Sequence, residues 1–407
     1  MMKKKCLKNS VVILLIAVLL FLITACGNPK NAEDQNSIGN PKNTEDQNSI
    51  GNQNSAEKKQ TAGEKTASDE NNSKTRTITD ARGRKVEIPA EVDSIVPLGN
   101  TPRMIVYLGL ADKVVGIGEC EIAKSPIQAY AYVHKEKWEK LPVCGTDAMG
   151  ETAFYPEEII TADPDVILCT YTADVADNIQ NQTGIPVVSV MDATLFSKEY
   201  EDAFRILGDV CGVSKRAEEV AEYIHTCLAD LEKRTKDVPD EKKPSVLGAG
   251  ATFKGSHGIE GVYSQYPVFK AIAANDAAAG ISDTEGGLLV DKEKIIEWNP
   301  DMIFFDFGSL ELIRQDYKEN PDYYAQLKAV KNGELYQWPN STWHWSNVEI
   351  PLVSAYSTAK LLYPEEFADV DFEKKAAEIF EFFLGDKEYL KKLEAAGAGY
   401  SKITLEE

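Results

Sequence analysis

The sequence predicts an α/β protein with two similar lobes, and the first observation behind this prediction is an internal repeat. Residues 154–171 read FYPEEIITADPDVILCTY and residues 290–307 read VDKEKIIEWNPDMIFFDF. A gapless overlay pairs Glu157 with Glu293 and aligns both Ile-Ile and both Pro-Asp dipeptides. Each copy predicts a short amphipathic helix with an acidic residue in its first turn, where the helix dipole favours negative charge. Chance recurrence of such a unit is the alternative explanation.

The second observation is the apolar run that follows the helix in each copy. Pro164 and Pro300 end the helices, because the residue before a proline is pushed out of the α region. The runs at 166–169 and 302–305 are apolar on both faces, as buried parallel strands are. Two such units far apart in the chain predict two lobes, each with its own parallel sheet.

The third observation is a long helical pattern between the two copies. Apolar residues recur at helical spacing over residues 198–236, with a break at 212–214. The second segment, 215–236, would be about 33 Å long at 1.5 Å per residue. It is long enough to join two lobes as a stiff spine, although a surface helix of a single domain could have the same length.

The first 25 residues predict a secretory signal peptide. A basic segment, MMKKKCLKNS, precedes the apolar stretch VVILLIAVLLFLIT and then Ala25 and Cys26. The last four residues, ITAC, resemble a bacterial lipobox, in which Cys26 becomes the lipidated first residue of the mature protein. An uncleaved membrane helix is the alternative, but 11–25 is short for one. We therefore expect a lipid-anchored protein at the extracytoplasmic face of the bacterial cytoplasmic membrane.

Composition then divides the chain. Residues 26–74 are polar, lack aromatic residues and contain the tandem repeat GNPKNAEDQNSI and GNPKNTEDQNSI, so they predict a flexible lipidated tether. We assign an N-terminal α/β lobe to 75–196, the linking spine region to 197–238, and a C-terminal α/β lobe with terminal helices to 239–407. The formal net charge of −21 makes nucleic acid an unexpected partner.

The elements of the N-terminal lobe follow from local pattern. A hairpin is predicted over 76–88 around Gly83, and short strands over 94–98, 114–117 and 185–190. Thr101 and Pro102 predict the start of a helix after the first of these strands, with Thr101 as its cap. A long loop covers 118–150.

In the C-terminal lobe the same reasoning predicts strands at 245–249 and 335–338. Helices are expected over 262–273, 352–362 and 372–395, the last interrupted at Gly385. A glycine-rich loop, GATFKGSHGIEGVYSQYP, follows the strand at 245–249, and NSTWHWSN follows the strand at 335–338.

Candidate ligand-binding residues gather at the predicted carboxyl ends of strands, where open α/β sheets bind ligands. They are Asn100, Thr101, Arg103, Tyr171, Ser256, His257, Trp343, His344 and Trp345. Two tryptophans flanking a histidine in a loop could stack on a large flat ligand while the imidazole supplies a polar or metal contact. Packing of these rings against a neighbouring helix is the alternative. Arg103 could meet a carboxylate or phosphate, or form a surface ion pair.

No motif for catalysis or a cofactor occurs. The four histidines form no HExxH or HxH, and GxSxG, a Walker A loop and a strand-to-helix GxGxxG are missing. Five cysteines remain after Cys6 and Cys26, without a CxxC pair, so a zinc site is not indicated and one disulfide is possible. We therefore expect no enzyme and no cofactor, with a secreted lipoprotein enzyme or an adhesion scaffold as alternatives.

The order of these features resembles a known family. A lipobox, RTITDARGRKVEIP, a strand and helix ending LGLADKVVGIG, and a helix, Pro-Asp and strand in each half around a long helix resemble the substrate-binding lipoproteins of ABC importers. The resemblance is to the helical-backbone group, which captures ferric siderophores, haem and cobalamin, and it extends from about Arg76 to the C-terminal helices. WHWSNVEIP with AKLLYPEEF is similar to members that bind iron complexes or haem.

The resemblance implies two Rossmann-like lobes joined by one long rigid helix, with the ligand in the cleft between them. It also implies a monomer that delivers an iron complex, or else cobalamin or another corrinoid, to a permease dimer whose separate ATPase hydrolyses ATP. Glu157 and Glu293 would dock into arginine pockets of the permease, with Glu158 as a substitute for Glu157. A carboxylate that only favours its own helix dipole is the alternative. The chain lacks the basic cluster of ferric-siderophore members, which argues against a strongly anionic ligand.

Overall fold

A computed structural model describes residues 74–148, 151–339 and 347–406. The strands are β1 Thr75–Thr79, β2 Lys85–Pro89, β3 Ile95–Pro97, β4 Ile117–Gly118, β5 Val143–Ala148, β6 Glu151–Phe154, β7 Val166–Cys169, β8 Val187–Ser189, β9 Ser245–Ala249, β10 Gly261–Ser264, β11 Asn275–Asp276, β12 Gly286–Leu289, β13 Met302–Asp306, β14 Leu335–Trp338 and β15 Ser401–Lys402. The helices are α1 Thr101–Tyr107, α2 Ala129–Tyr132, α3 Lys135–Trp138, α4 Pro156–Ala162, α5 Ala173–Thr183, α6 Lys198–Val210, α7 Ser214–Thr235, α8 Pro267–Ala271, α9 Lys292–Trp298, α10 Leu310–Glu319, α11 Pro321–Tyr324, α12 Lys328–Lys331, α13 Glu349–Leu362, α14 Phe372–Leu384 and α15 Tyr389–Ala395.

The N-terminal lobe is built on a parallel sheet in the order β3-β7-β8, with Ile95 paired to Val166. These strands are buried on both faces, which explains why their sequences are continuous apolar runs. A second sheet has the order β4-β5-β6. The β1–β2 hairpin joins the parallel sheet where Ala81 N donates to Ser189 O at 3.0 Å.

The C-terminal lobe has the sheet order β12-β10-β9-β13-β14-β15, with β11 paired to β9. Strands β9, β13 and β14 are parallel, whereas β10, β12 and β15 pair in the antiparallel sense. The helix predicted over 262–273 is wrong in its first part, because residues of β10 are all buried in a sheet between β9 and β12. The helix α8 begins only at Pro267, which suits the first turn.

The repeated unit has the same backbone in both lobes. Helices α4 and α9 end at Asp163 and Asn299, which both take left-handed φ angles of 50° and 44°. Such a residue ends the helix before the proline and turns the chain into the strand. The two parallel strands β7 and β13 follow, each fully buried. The predicted recurrence of helix, proline and buried strand is therefore confirmed.

Helices α6 and α7 form the spine between the sheets, with the break before Ser214 where it was predicted. Helix α7 spans 22 residues and buries one face, including Val220, in a hydrophobic core that also contains Ile95 of β3 and Val246 of β9. At its start Arg216 donates to Tyr107 O at 3.0 Å and to Phe382 O at 2.6 Å. The predicted class, two Rossmann-like α/β lobes joined by a long helix, is confirmed.

Four further local predictions differ from the structure. The segment 118–150, predicted to be a long loop, contains α2, α3 and β5. Thr101 is not the cap of α1: Asn100 holds that position, and the Thr101 hydroxyl donates to Leu98 O at 2.8 Å. The segment 114–117 pairs with β3 only through a bridge at Val114, because the chain then turns to pair with β5 instead. Each of the five cysteines in the described part of the chain is a free thiol, so the possible disulfide is not formed among them.

Candidate functional site

The first wall of the candidate site lies at the carboxyl ends of β3, β5 and β7. Gly99 N donates to Asp147 Oδ2 at 3.1 Å, and the Tyr171 hydroxyl donates to the same oxygen at 2.5 Å. Gly99 has a φ of +61°, and a Cβ there would lie 2.5 Å from Thr170 Oγ1, so only glycine fits this turn. Burial raises the pKa of Asp147 above its usual value.

Asn100 extends this wall towards β8. Its backbone N–H donates to Thr170 Oγ1 at 3.1 Å, and its side-chain amide donates to Asp192 Oδ1 at 3.2 Å. Arg82, from the β1–β2 hairpin, donates to the carbonyls of Thr170 and Tyr171 at 2.9 and 3.0 Å. The hairpin therefore fixes the chain after β7, which carries the predicted site residue Tyr171 and accepts from the backbone of Asn100 through Thr170.

Thr101 and Arg103 lie deeper than the sequence suggested. Both side chains are fully buried, and the Thr101 hydroxyl is engaged by the backbone carbonyl of Leu98. The Arg103 guanidinium lies over the Tyr130 ring, 5.0 Å from its centroid, and Nη2 donates to the Tyr130 hydroxyl at 3.4 Å. Arg103 is thus not the surface ion pair considered from the sequence.

The second wall lies at the carboxyl ends of β9 and β13. Ser256 Oγ donates to Gly308 O at 2.8 Å, and His257 N donates to Ser309 Oγ at 3.2 Å. The His257 ring lies 3.1 Å from Ala251 O through Nδ1 and stacks on Phe253 with centroids 4.1 Å apart. Ser256 is exposed and His257 is half-buried, so the pair is positioned by the turn after β13.

Behind the second wall, Asp306 anchors three elements. Its carboxylate accepts from Trp338 Nε1 at 2.9 Å, from the Thr252 hydroxyl at 3.0 Å and from the Tyr263 hydroxyl. Complete burial raises the pKa of Asp306 to about 6. This carboxylate holds β9, β10 and β14 together and faces no solvent.

The structure brings the predicted residues together in two groups. Asn100, Thr101 and Tyr171 share one wall and Ser256 and His257 the other, and in the described residues no hydrogen bond joins the two walls. Trp343, His344 and Trp345 lie outside the described residues, as does Cys26. Sequence reasoning missed Asp147, Asp192, Tyr200, Asn347 and Glu349. Asp192 follows β8, so the strand-end rule that found Asn100 could have found it, whereas Asp147 lies within β5, in a segment predicted to be a loop.

The two predicted docking glutamates occupy equivalent places. Glu157 and Glu293 lie in the first turns of α4 and α9, and both are exposed. Neither side chain forms an ion pair or hydrogen bond with another described residue. Glu158 is exposed beside Glu157, whereas Lys292 and Lys294 flank Glu293. Both carboxylates are therefore accessible to a partner.

The comparison with known proteins decides the family. Residues 98–342, more than half of the chain, match the family described as periplasmic binding protein. The chain belongs to this family. The resemblance to helical-backbone binding proteins predicted from the sequence is confirmed by this match and by the relatives below.

This periplasmic binding protein is 25% identical over 283 residues to YvrC of Bacillus subtilis, an uncharacterized ABC transporter substrate-binding lipoprotein, covering 66% of this chain and 82% of that protein. It is 24% identical over 327 residues to the molybdate-binding protein MolA of Haemophilus influenzae, covering 76% and 90%. The MolA structure with bound molybdate has a TM-score of 0.60 at 20% identity, covering 76% of this chain and 98% of that one. A heme binding protein, HmuT, has a TM-score of 0.51 at 19% identity, covering 71% and 90%.

Across residues 74–148, 151–339 and 347–406, no three histidine, cysteine or acidic side chains are grouped so that they could hold a metal ion. Over the same ranges, no helix has both the length and the apolar character needed to cross a membrane.

Proposed function

We propose that this periplasmic binding protein is an extracytoplasmic lipoprotein that captures a metal chelate and delivers it to the permease of an ABC importer. The observation that carries the proposal is the repeated unit: each lobe presents one exposed glutamate without a partner, at the same turn of an equivalent helix. A permease dimer offers two equivalent docking positions, so one carboxylate from each lobe would fix the orientation of the complex. The similarity to YvrC supports the same class.

The proposed anchor and partners follow from the same class. Residues 1–25 are removed as a signal peptide, Cys26 is lipidated, and residues 26–74 tether the folded part to the membrane. The lobes correspond to 75–196 and 239–407, joined by 197–238. The permease and its ATPase supply the energy, and the binding protein acts as a monomer without catalysing a reaction.

The proposed ligand is an iron complex, either a ferric siderophore or haem, with cobalamin next. Asn100 and Tyr171 on one wall and Ser256 and His257 on the other supply the polar contacts. Trp343, His344 and Trp345 supply the flat apolar surface and a ligand for the metal. The similarity of fold to HmuT is compatible with haem.

A simple oxyanion is the second candidate, because the relative MolA binds molybdate. It would need far fewer contacts than a chelate and would not use the aromatic loop.

Tryptophan fluorescence of the mature protein tests the proposal. The panel contains ferric siderophores, haemin, cobalamin, molybdate, and free Fe³⁺, Mn²⁺ and Zn²⁺. We expect saturable quenching by one chelate, weakened by Trp343→Ala and His344→Ala but not by Trp298→Phe, which alters a ring on α9 outside both walls. Quenching by molybdate alone would select the second candidate, and a folded protein that binds nothing on the panel would refute the proposal.

A further inference from the structure

A group of buried polar side chains at the junction of the two lobes has several polar atoms without a hydrogen-bond partner among the described residues. It consists of Arg103 on α1, Tyr200 on α6, and Asn347 and Glu349 at the start of α13, and we call it the Arg103 cluster. All four side chains are at most 1% exposed. The pKa of Tyr200 and that of Glu349 both respond to the charge of Arg103, so the groups share one neighbourhood.

The strongest anomaly in the Arg103 cluster is the arginine itself. Its Nε and Nη1 donate to no described residue, and its one hydrogen bond is the 3.4 Å contact with Tyr130. No carboxylate in the described residues forms an ion pair with it, although Glu121, Glu349 and Asp192 lie close enough to act on its charge. Two of its buried N–H donors are therefore without an acceptor in the described part of the chain, which is unfavourable. A bound ligand that supplies a hydrogen-bond acceptor would satisfy these donors of Arg103.

The other members of the cluster are also incomplete. In the described part of the chain, no hydrogen-bond partner is found for the Tyr200 hydroxyl, either polar atom of the Asn347 amide, or Glu349 Oε1. Glu349 Oε2 accepts from the Tyr107 hydroxyl, which in turn accepts from Val348 N at 3.2 Å. The start of α13 is therefore held against α1 on one side, while its remaining polar atoms are left open on the other.

We propose that the Arg103 cluster is a subsite for an anionic oxygen of the transported ligand. Arg103 and Tyr200 would donate to that oxygen from the N-terminal side, and the Asn347 amide from the C-terminal side. The inference rests on the proposed function, because it places the subsite in the same cleft. It narrows the ligand to one that carries a carboxylate or comparable oxyanion, and it corrects the expectation that the missing basic cluster excludes an anion.

The charges around the subsite set its pH dependence. Besides Arg103, the titratable groups that face it are Tyr107, Tyr130, Tyr200, Glu121, Glu349 and Asp192. Burial raises the pKa of both Glu121 and Glu349 to about 7, so both carboxyls become neutral as the pH falls below 7. Neutralisation removes negative charge near the anion, and binding should therefore be tighter at pH 6 than at pH 8.

Two variants separate binding from stability. Arg103→Met and Tyr200→Phe remove unpartnered polar groups, so we expect unfolding temperatures equal to or above that of the wild-type protein. Tyr389→Phe is the matched control, because its equally buried hydroxyl donates to Pro126 O at 2.7 Å. It should lower the unfolding temperature and leave binding unchanged.

Binding is measured by calorimetry on the full mature protein with haemin, ferric citrate and molybdate. We expect one probe to bind the wild-type protein and to lose about tenfold or more in affinity in Arg103→Met and about threefold to tenfold in Tyr200→Phe. If the variants lose affinity for haemin or ferric citrate, the anion belongs to a chelate. If they lose affinity for molybdate, the ligand is a free oxyanion. If a probe binds both variants as tightly as the wild type, the subsite is wrong while the importer proposal survives. Binding of uncharged chelates alone overturns the subsite, and binding of nothing overturns both proposals.

Discussion

The two lobes share the backbone of the repeated unit, but the carboxylates near the ends of their strands differ in burial and hydrogen bonding. In the C-terminal lobe, Asp306 is fully buried and accepts from three side chains on three strands or their ends. In the N-terminal lobe, Asp147 is half-buried, and only its Oδ2 is engaged, by Gly99 N and the Tyr171 hydroxyl. Its Oδ1 is buried and has no hydrogen-bond partner among the described residues. The first carboxylate is therefore saturated with donors, whereas the second keeps one oxygen without a donor.

The two carboxylates do not occupy equivalent positions, because the overlay of the repeat pairs Asp306 with Thr170 and Asp147 lies on β5 of another sheet, and their hydrogen bonding differs accordingly. Saturating a buried carboxylate with donors makes it part of the core, because every donor would lose its acceptor if the carboxylate were removed. A buried oxygen without a donor is costly, so we expect a donor outside the described residues, such as a polar group of the ligand, to satisfy Oδ1 of Asp147.

The largest expected effect is on the free energy of unfolding, and it tests this comparison directly. Asp306→Ala should lower the free energy of unfolding by about 3 kcal/mol, because Trp338 Nε1 would be buried without an acceptor. Asp147→Ala should lower it by roughly 1 kcal/mol or less. Urea unfolding followed by circular dichroism measures both.

Ligand affinity supplies the complementary readout. Asp147→Ala should weaken binding of the chelate found by titration, whereas Asp306→Asn, which keeps the shape of the side chain, should leave binding close to that of the wild type. Equal losses of stability in the two alanine variants would show that Asp147 is as much a clamp as Asp306.

The Pro-Asp dipeptide is a point on which the lobes agree more closely. Asp165 N donates to Ser94 O at 3.0 Å while Asp165 Oδ2 accepts from Ser94 N at 2.9 Å. Asp301 and Ser245 make the same exchange, at 2.8 Å in both directions. Each aspartate therefore fastens the strand after its helix to the first parallel strand of its lobe, which gives the repeated dipeptide a structural reason.

A smaller effect tests whether Asp165 and Asp301 contribute equally to the free energy of unfolding. Asp165 also accepts from Asp93 N at 2.7 Å, whereas Asp301 adds an ion pair with the half-exposed Lys328. Because a surface ion pair is worth little, Asp165→Ala should cost about 2 kcal/mol and Asp301→Ala about 1 kcal/mol. Lys328→Ala, the control, should cost a few tenths, about 0.3 kcal/mol. An Asp301→Ala variant that is the less stable of the two would reverse the ranking.

Much of this fold was predictable from the sequence because its signals are local. Helix, proline and buried strand at 154–171 and 290–307 depend on steric rules that act within a few residues. The break before α7 depends on the glycine at 212, which is similarly local. The strand at 261–264 was missed because an apolar run of that length fits a helix or a strand, and only its pairing with β9 and β12 decides between them.

The candidate site was less predictable, because burial is a property of the whole fold. Arg103 stands at the start of a helix, where a surface ion pair was one expectation, yet it is completely buried and lies over the ring of Tyr130 on α2. Asn347 and Glu349 come from a segment more than 240 residues away in sequence, as the Tyr107–Glu349 contact shows. No spacing rule connects residues so distant, so their meeting could not be inferred from the sequence alone.

The last comparison concerns the helices that would dock to the permease, where the expected effect is on transport and not on stability. Glu157 has a second exposed glutamate beside it, whereas Glu293 has lysines on either side. Glu293→Ala should therefore reduce uptake by about tenfold, equivalent to one ion pair of about 1.4 kcal/mol. Glu157→Ala should reduce it less, because Glu158 can take its place, and Glu157→Ala with Glu158→Ala should match Glu293→Ala.

Uptake of labelled chelate by cells that produce each variant measures these effects, and Glu297→Ala on the same helix α9 is the control. Glu297 is paired with Lys294 at 2.9 Å, so its removal should leave uptake unchanged. If all the glutamate variants transport normally, the carboxylates serve only their own helix dipoles, and the repeated unit is explained by the Pro-Asp clamp alone. If Glu157→Ala lowers uptake as much as Glu293→Ala does, the permease binds a carboxylate at one position in each lobe only. The neighbouring Glu158 then cannot reach the arginine of the permease.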